Sequence, residues 1–121
     1  MQLTINDNRT IEDINNDFMA VFPYLKIQFF KHCHKENIGS PKKEMIPNTT
    51  KLKAINHTNG VMVISEEQTV EEVEQFFKLH FNLNAQVFRK SGNNWLETTL
   101  TDSWTLKKQN QEGMELSNLG R

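Results

Sequence analysis

Apolar residues recur along this chain with two different periods, and the switches between them predict its elements. Met1, Leu3 and Ile5 alternate with Gln2, Thr4 and Asn6, the period-two pattern of a strand with one buried face. From Ile11 the spacing changes: Ile11, Ile14, Phe18 and Phe22 fall on one face of a helix of about three turns. Pro23 ends that helix, because it has no N–H to give to the ladder. Leu25, Ile27 and Phe29 then alternate with Lys26 and Gln28, which predicts a second strand. The same series returns downstream. Val61–Ile64 reads as a strand, Val70, Val73, Phe77 and Phe81 as a helix, and Leu83, Ala85 and Val87 as the strand after it.

The return is residue by residue. At a spacing of 59, Leu3, Ile5, Thr10, Ile11, Glu12, Asp13, Ile14, Phe18 and Phe22 fall on Met62, Ile64, Thr69, Val70, Glu71, Glu72, Val73, Phe77 and Phe81. Thr10 with Asp13, and Thr69 with Glu72, have the capping-box arrangement in which hydroxyl and acid each satisfy a free backbone N–H. Later the match resumes at a spacing of 54, with Ile46, Asn48, Thr49, Leu52, Lys53 and Asn56 on Leu100, Asp102, Ser103, Leu106, Lys107 and Asn110. The first half therefore carries five extra residues in between. Asn48-Thr49 and Asp102-Ser103 look like N-caps of one or two helical turns, with Gly60 and Gly113 suited to their ends. A strand over Lys51–Ile55 is the alternative there.

Ser91-Gly92-Asn93-Asn94 predicts a hairpin that returns from Trp95 to Leu100, while the first half has only a stub at Met45-Ile46. Val61-Met62-Val63-Ile64 is apolar on both sides, which suggests a central strand. The expectation is one α+β domain, residues 1–121, built of two imperfect repeats, 1–59 and 60–121. Two βαβ-type units pack as a ferredoxin-like two-layer sandwich with an extra C-terminal hairpin and short helices. An open sheet in another strand order is the runner-up.

Composition narrows the setting. Hydrophobic content of 36% against 24% charged residues can furnish a core, and is unlike a disordered chain. No basic region followed by an apolar run opens the chain, and no apolar stretch is long enough to span a bilayer. The single cysteine, Cys33, has no internal disulfide partner, which suits a reducing compartment; a cytoplasmic location is expected. The Asn8, Asn48 and Asn56 glycosylation triplets read as chance in a chain with 14 Asn.

Charge singles out the region where the halves differ. Residues 25–57 hold seven Lys against two Glu, whereas the remainder is acidic. Within it, Lys31, Lys35, Lys42 and Lys43 are candidate contacts for a phosphate, a nucleic acid or an acidic partner, with Gly39-Ser40 offering backbone N–H groups; a solvated loop is the plainer reading. His32, Cys33 and His34 are metal candidates, but a closed zinc site needs four ligands, and no pattern places His57 or His80 near them. A Cys–His nucleophile has no supporting motif, and Glu66, Glu67, Glu71, Glu72 and Glu74 are explained by the helix dipole. There is no phosphate loop, dinucleotide fingerprint or nucleophile elbow, so no cofactor is expected. Phe30, Phe88 and Trp95 are placed on the sheet face away from the core, near Lys26, Lys31, Arg89 and Lys90. Base stacking there would need an RNP consensus the chain lacks, so sheet-mediated self-association is the preferred use of that face.

The run Val87-Phe88-Arg89-Lys90, Trp95-Leu96-Glu97-Thr98-Thr99 and Trp104 to Asn110, with Gly39-Ser40-Pro41-Lys42-Lys43 upstream, resembles small bacterial proteins of the Bacteroidetes type. The resemblance implies a bacterial cytosolic protein and brings no known activity, catalytic residue or cofactor. Three functions are weighed: a non-enzymatic interaction module, self-associating as a homodimer or binding a protein partner; a phosphate or nucleic-acid binder using residues 31–43; and a small metal-dependent or Cys/His enzyme at residues 32–34. The first is preferred.

Overall fold

The computed structural model describes residues 1–32 and 44–118. The fold is α+β, with two antiparallel sheets and three helices among the described residues. In chain order the elements are β1 (Gln2–Ile5), α1 (Ile11–Val21), β2 (Leu25–Phe30), β3 (Gly60–Val63), α2 (Val70–Phe81), β4 (Asn84–Ser91), β5 (Asn94–Glu97) and α3 (Leu106–Asn118). Leu3, Ile5, Met62, Phe18, Phe77 and the inward residues of β2 and β4 form one core. Phe77 stands edge-on to Phe29 at its centre, 5.4 Å between ring centroids.

Helices α1 and α2 start as the sequence predicts. Thr10 accepts the Asp13 N–H and Asp13 accepts the Thr10 N–H; Thr69 and Glu72 do the same for α2. The first N–H groups of each helix are satisfied from farther away. Ile11 and Glu12 donate to the carbonyls of Thr50 and Asn48, and Val70 and Glu71 to those of Trp104 and Asp102. Leu52 and Lys53 donate to Arg9 and Asp7, as Leu106 and Lys107 donate to Gln68 and Glu66. Asn48 and Asp102 thus serve α1 and α2 through their carbonyls rather than capping helices of their own. The segments beyond them differ in length. Leu52–Ala54 is a single 3-10 turn, not a strand, whereas α3 runs for 13 residues with Thr105 Oγ1 accepting the Lys108 N–H. Gly60 opens β3 and Gly113 lies inside α3, so neither ends a helix.

Strand pairing joins the halves. β1 pairs with β3, Leu3 facing Met62, and β2 pairs with β4, Gln28 facing Gln86. β5 adds to β4 through a hairpin turning at Gly92, whose φ of 61° is the left-handed conformation glycine adopts without strain. The return strand ends at Glu97, and Thr99–Thr101 is another 3-10 turn. β3 is not central: among the described residues it has one hydrogen-bonded neighbour, and Val61 and Val63 point outward.

Side chains from the helices explain why the two sheets stay separate. Buried Asn15 on α1 donates to the Ile27 carbonyl and accepts the Ile27 N–H, occupying the β2 edge that another strand would need. Glu74 on α2 accepts the Val87 N–H at 2.8 Å, and Thr98 donates to the Val87 carbonyl at 2.7 Å. These edges carry side-chain partners in place of backbone ones.

α3 packs closely enough to make Gly113 obligatory. A Cβ there would lie 2.8 Å from Tyr24 Cβ and 3.1 Å from the Tyr24 carbonyl oxygen. Gly to Ala within a helix ordinarily adds about 1 kcal/mol. Here Gly113→Ala is expected to lower stability by about 1–2 kcal/mol instead, through overpacking, as read by urea denaturation.

Candidate binding cleft

A cleft of about 610 Å³ opens where the end of β2, the 46–56 segment and the α2–β4 turn meet. Its floor is apolar: Phe29, Ile46, Ile55 and Leu83. Pairing places them there, since Ile46 N–H donates to the Phe29 carbonyl at 2.8 Å, and the bridge from Phe30 to Met45 holds the segment against β2. The rim is polar and cationic, with Lys31, Lys78, Asn56, Asn82 and Asn84, and none of the described lining residues is acidic. Lys78 Nζ donates to Asn84 Oδ1 at 3.2 Å, and Asn84 Nδ2 donates to the carbonyls of Phe30 and Lys31 at 3.4 Å. Asn84 therefore joins the backbone beside one lysine to the side chain of the other. Asn82, in the left-handed conformation that ends α2, donates from Nδ2 to the Asn56 carbonyl at 3.0 Å.

Among the four candidate basic residues, Lys31 lies on this rim; Lys35, Lys42 and Lys43 lie outside the described residues. Lys78, Asn82 and Asn84 were not singled out by the sequence. They sit on a helix, the turn after it and the start of β4, where the pattern signals only packing, and the fold alone brings them to the same rim as Lys31.

The aromatic candidates do come together, but not as an open platform. Phe30, Phe88 and Trp95 line a smaller cleft of about 360 Å³ with Lys26, Met45 and Glu97. Lys26 Nζ stands 4.8 Å from the Trp95 ring centroid and 5.8 Å from that of Phe88. Phe30 and Phe88 are only 2% and 8% exposed, so neither offers a ring face for a base or a partner. Trp95 is half-buried.

Of the metal candidates, His32 is described and Cys33 and His34 lie outside the described residues. His32 Nδ1 is 3.3 Å from Glu44 Oε1. His57 Nδ1 meets the Ile55 carbonyl at 2.8 Å, and His80 stacks on Phe76 with centroids 4.1 Å apart. Among the described residues no three His, Cys, Asp or Glu side chains are grouped to hold a metal.

A large electrostatic perturbation lies elsewhere, at Glu74. Glu74 has its pKa pushed up to about 8, first by burial and then by the Asp102 and Glu71 carboxylates, against the lowering effect of the Val87 N–H. Asp13 is shifted below its usual value, chiefly by the Thr10 N–H. Both groups hold backbone, and neither lines a described cleft.

Among the described residues no helix is long and apolar enough to cross a membrane. Compared with family models, with curated proteins and with solved structures, the chain has no match.

Proposed function

We propose that this chain is a non-enzymatic interaction module that self-associates, using the outer edge of β3. One observation carries the reading: β3 has an apolar, solvent-facing surface and an open backbone edge. Met1 and Ile64 exchange both N–H···O bonds, at 2.8 and 2.9 Å, which fixes the alternation along β1 and β3. The N–H and C=O groups of Val61 and Val63 therefore point away from β1. Among the described residues no backbone hydrogen bond reaches them. Their side chains are 57% and 64% exposed. An edge of this kind is a template for another strand, and natural edges are ordinarily blunted by charge, proline or a bulge. The partner is the same edge of a second copy, which would turn two two-stranded sheets into one of four strands. The burial of Phe30 and Phe88 counts against a contact through that face.

The wider reading is a tandem, ferredoxin-like duplication in a bacterial cytoplasmic protein. The duplication is supported by the equal hydrogen bonds at both spacings, and the compartment by the lone Cys33.

Light scattering across about 10 µM to 1 mM tests the contact. The expected result is a mass that rises from monomer to dimer, and a Val61→Lys, Val63→Lys variant that stays monomeric and melts with the wild type at the dilute end, where both are monomers. A wild-type monomer throughout, or a dimer indifferent to both lysines, would overturn the proposal.

A further inference from the structure

The 610 Å³ cleft has a counterpart in the other half of the molecule, and there it is full. α3 lies across the start of β2 and the end of β4. Asn110 Oδ1 accepts the Tyr24 N–H at 2.9 Å, and Gln109 Oε1 accepts from Arg89 Nη1 at 3.0 Å. Gly113 sits against Tyr24 and Arg89.

This seat can be carried to the first half. The spacing of 58 that sets Gln28 against Gln86 puts Asn82 in place of Tyr24 and Lys31 in place of Arg89. The spacing of 54 puts Asn56 in place of Asn110. Lys31, Asn56 and Asn82 all line the cleft. Among the described residues the first half has no helix to lay there, because after Leu52–Ala54 the chain turns out to β3 at Gly60. The cleft is the seat of α3 without α3, walled by the same elements that hold a helix in the other half.

Its chemistry differs from the filled seat in one respect. Arg89 is engaged by Gln109 and lies 5.6 Å from the Trp104 ring, whereas in the open seat Lys31 and Lys78 face a rim with no carboxylate among the described residues. A pocket of a few hundred Å³ with an apolar floor and a few convergent polar groups is the usual form of a small-ligand site. We propose that it binds a small amphipathic anion, a carboxylate or phosphate on a short apolar body. The head group sits between Lys31 and Lys78, where charge-assisted hydrogen bonds are the strong ones. The body lies over Ile46, Ile55 and Leu83.

Backbone NMR titration with octanoate, octyl phosphate, inorganic phosphate, octanol and octylamine tests this. Saturable shifts are expected at Lys31, Lys78, Asn82 and Asn84 with octanoate or octyl phosphate, the stronger of the two naming the head group. The Lys31→Glu, Lys78→Glu variant should lose at least about tenfold in affinity for them. Both lysines are exposed, so the variant should keep the wild-type melting temperature. Equal binding of octanol or octylamine would overturn the anionic head, and equal binding of inorganic phosphate the apolar body. No saturation by about 10 mM, or affinity unchanged in the double variant, would overturn the site itself.

Discussion

Asn15→Leu is expected to lower folding stability by about 3–5 kcal/mol, a large share of the roughly 5–15 kcal/mol typical of a domain. Asn15 is 5% exposed on the inner face of α1, between Ile14 and Phe18. Its amide makes two hydrogen bonds to one residue: Nδ2 donates to the Ile27 carbonyl, and Oδ1 accepts the Ile27 N–H at 2.8 Å. Leucine keeps the volume but offers neither. Two buried backbone groups then lose their partners, each costing about 1–3 kcal/mol. A generic polar-to-apolar change in a core would stabilise, so the sign separates the explanations. Urea denaturation reads the outcome; a loss below about 1 kcal/mol would mean that water or another strand can take over the β2 edge.

Glu74→Gln should make the protein more stable at pH 9 and leave it nearly unchanged at pH 4. The Glu74 carboxyl has a pKa of about 8 in the folded chain against 4.5 for the ordinary group. Between those values the folded state holds a proton that the unfolded chain releases. Stability therefore falls as pH rises from about 4.5 to 8, and is level again above that. Each tenfold difference in proton affinity between the folded and unfolded chain is worth about 1.4 kcal/mol, so the loss is roughly 3–6 kcal/mol. Glutamine retains an oxygen for the Val87 N–H and cannot ionise, so the variant escapes the loss. Asp13 titrates in both proteins with the opposite sign. Its lowered pKa favours the fold above the ordinary value of 3.8, and that benefit fades as pH falls toward the folded value. Thermal melts at pH 4, 7 and 9 check the difference; parallel profiles would show that Glu74 is ionised or solvated in the folded chain.

These two residues also mark where reading the sequence reaches its limit. Asn15 and Glu74 occupy corresponding places in α1 and α2. Asn15 does not stand out on its amphipathic helix, and Glu74, which the sequence assigns to the helix dipole, is instead turned inward to accept the Val87 N–H. What they do depends on which strand edge passes beneath them. Lys78 is similar. On its helix it is an ordinary basic residue of the last turn, and only the arrival of Lys31 from β2 makes it half of a cationic rim.

Helices α1 and α2, their capping boxes, the hairpin at Gly92 and the apolar set that fills the core are legible in the sequence alone. Each depends on neighbours within a few positions, so period and cap residues suffice. The rest was settled by tertiary structure. Pairing of β1 with β3 and of β2 with β4 is non-local, and β3 became an exposed edge although its sequence reads as fully buried. The same holds after the matched Leu52 and Leu106. One chain segment makes a single turn and leaves for β3, while the other continues as α3, and the difference lies in what each must reach next. Short-range hydrogen bonding cannot encode that destination. Whether a seat on the sheet is filled by helix or left open as a cleft depends on where the chain goes, and in this protein the two halves go different ways.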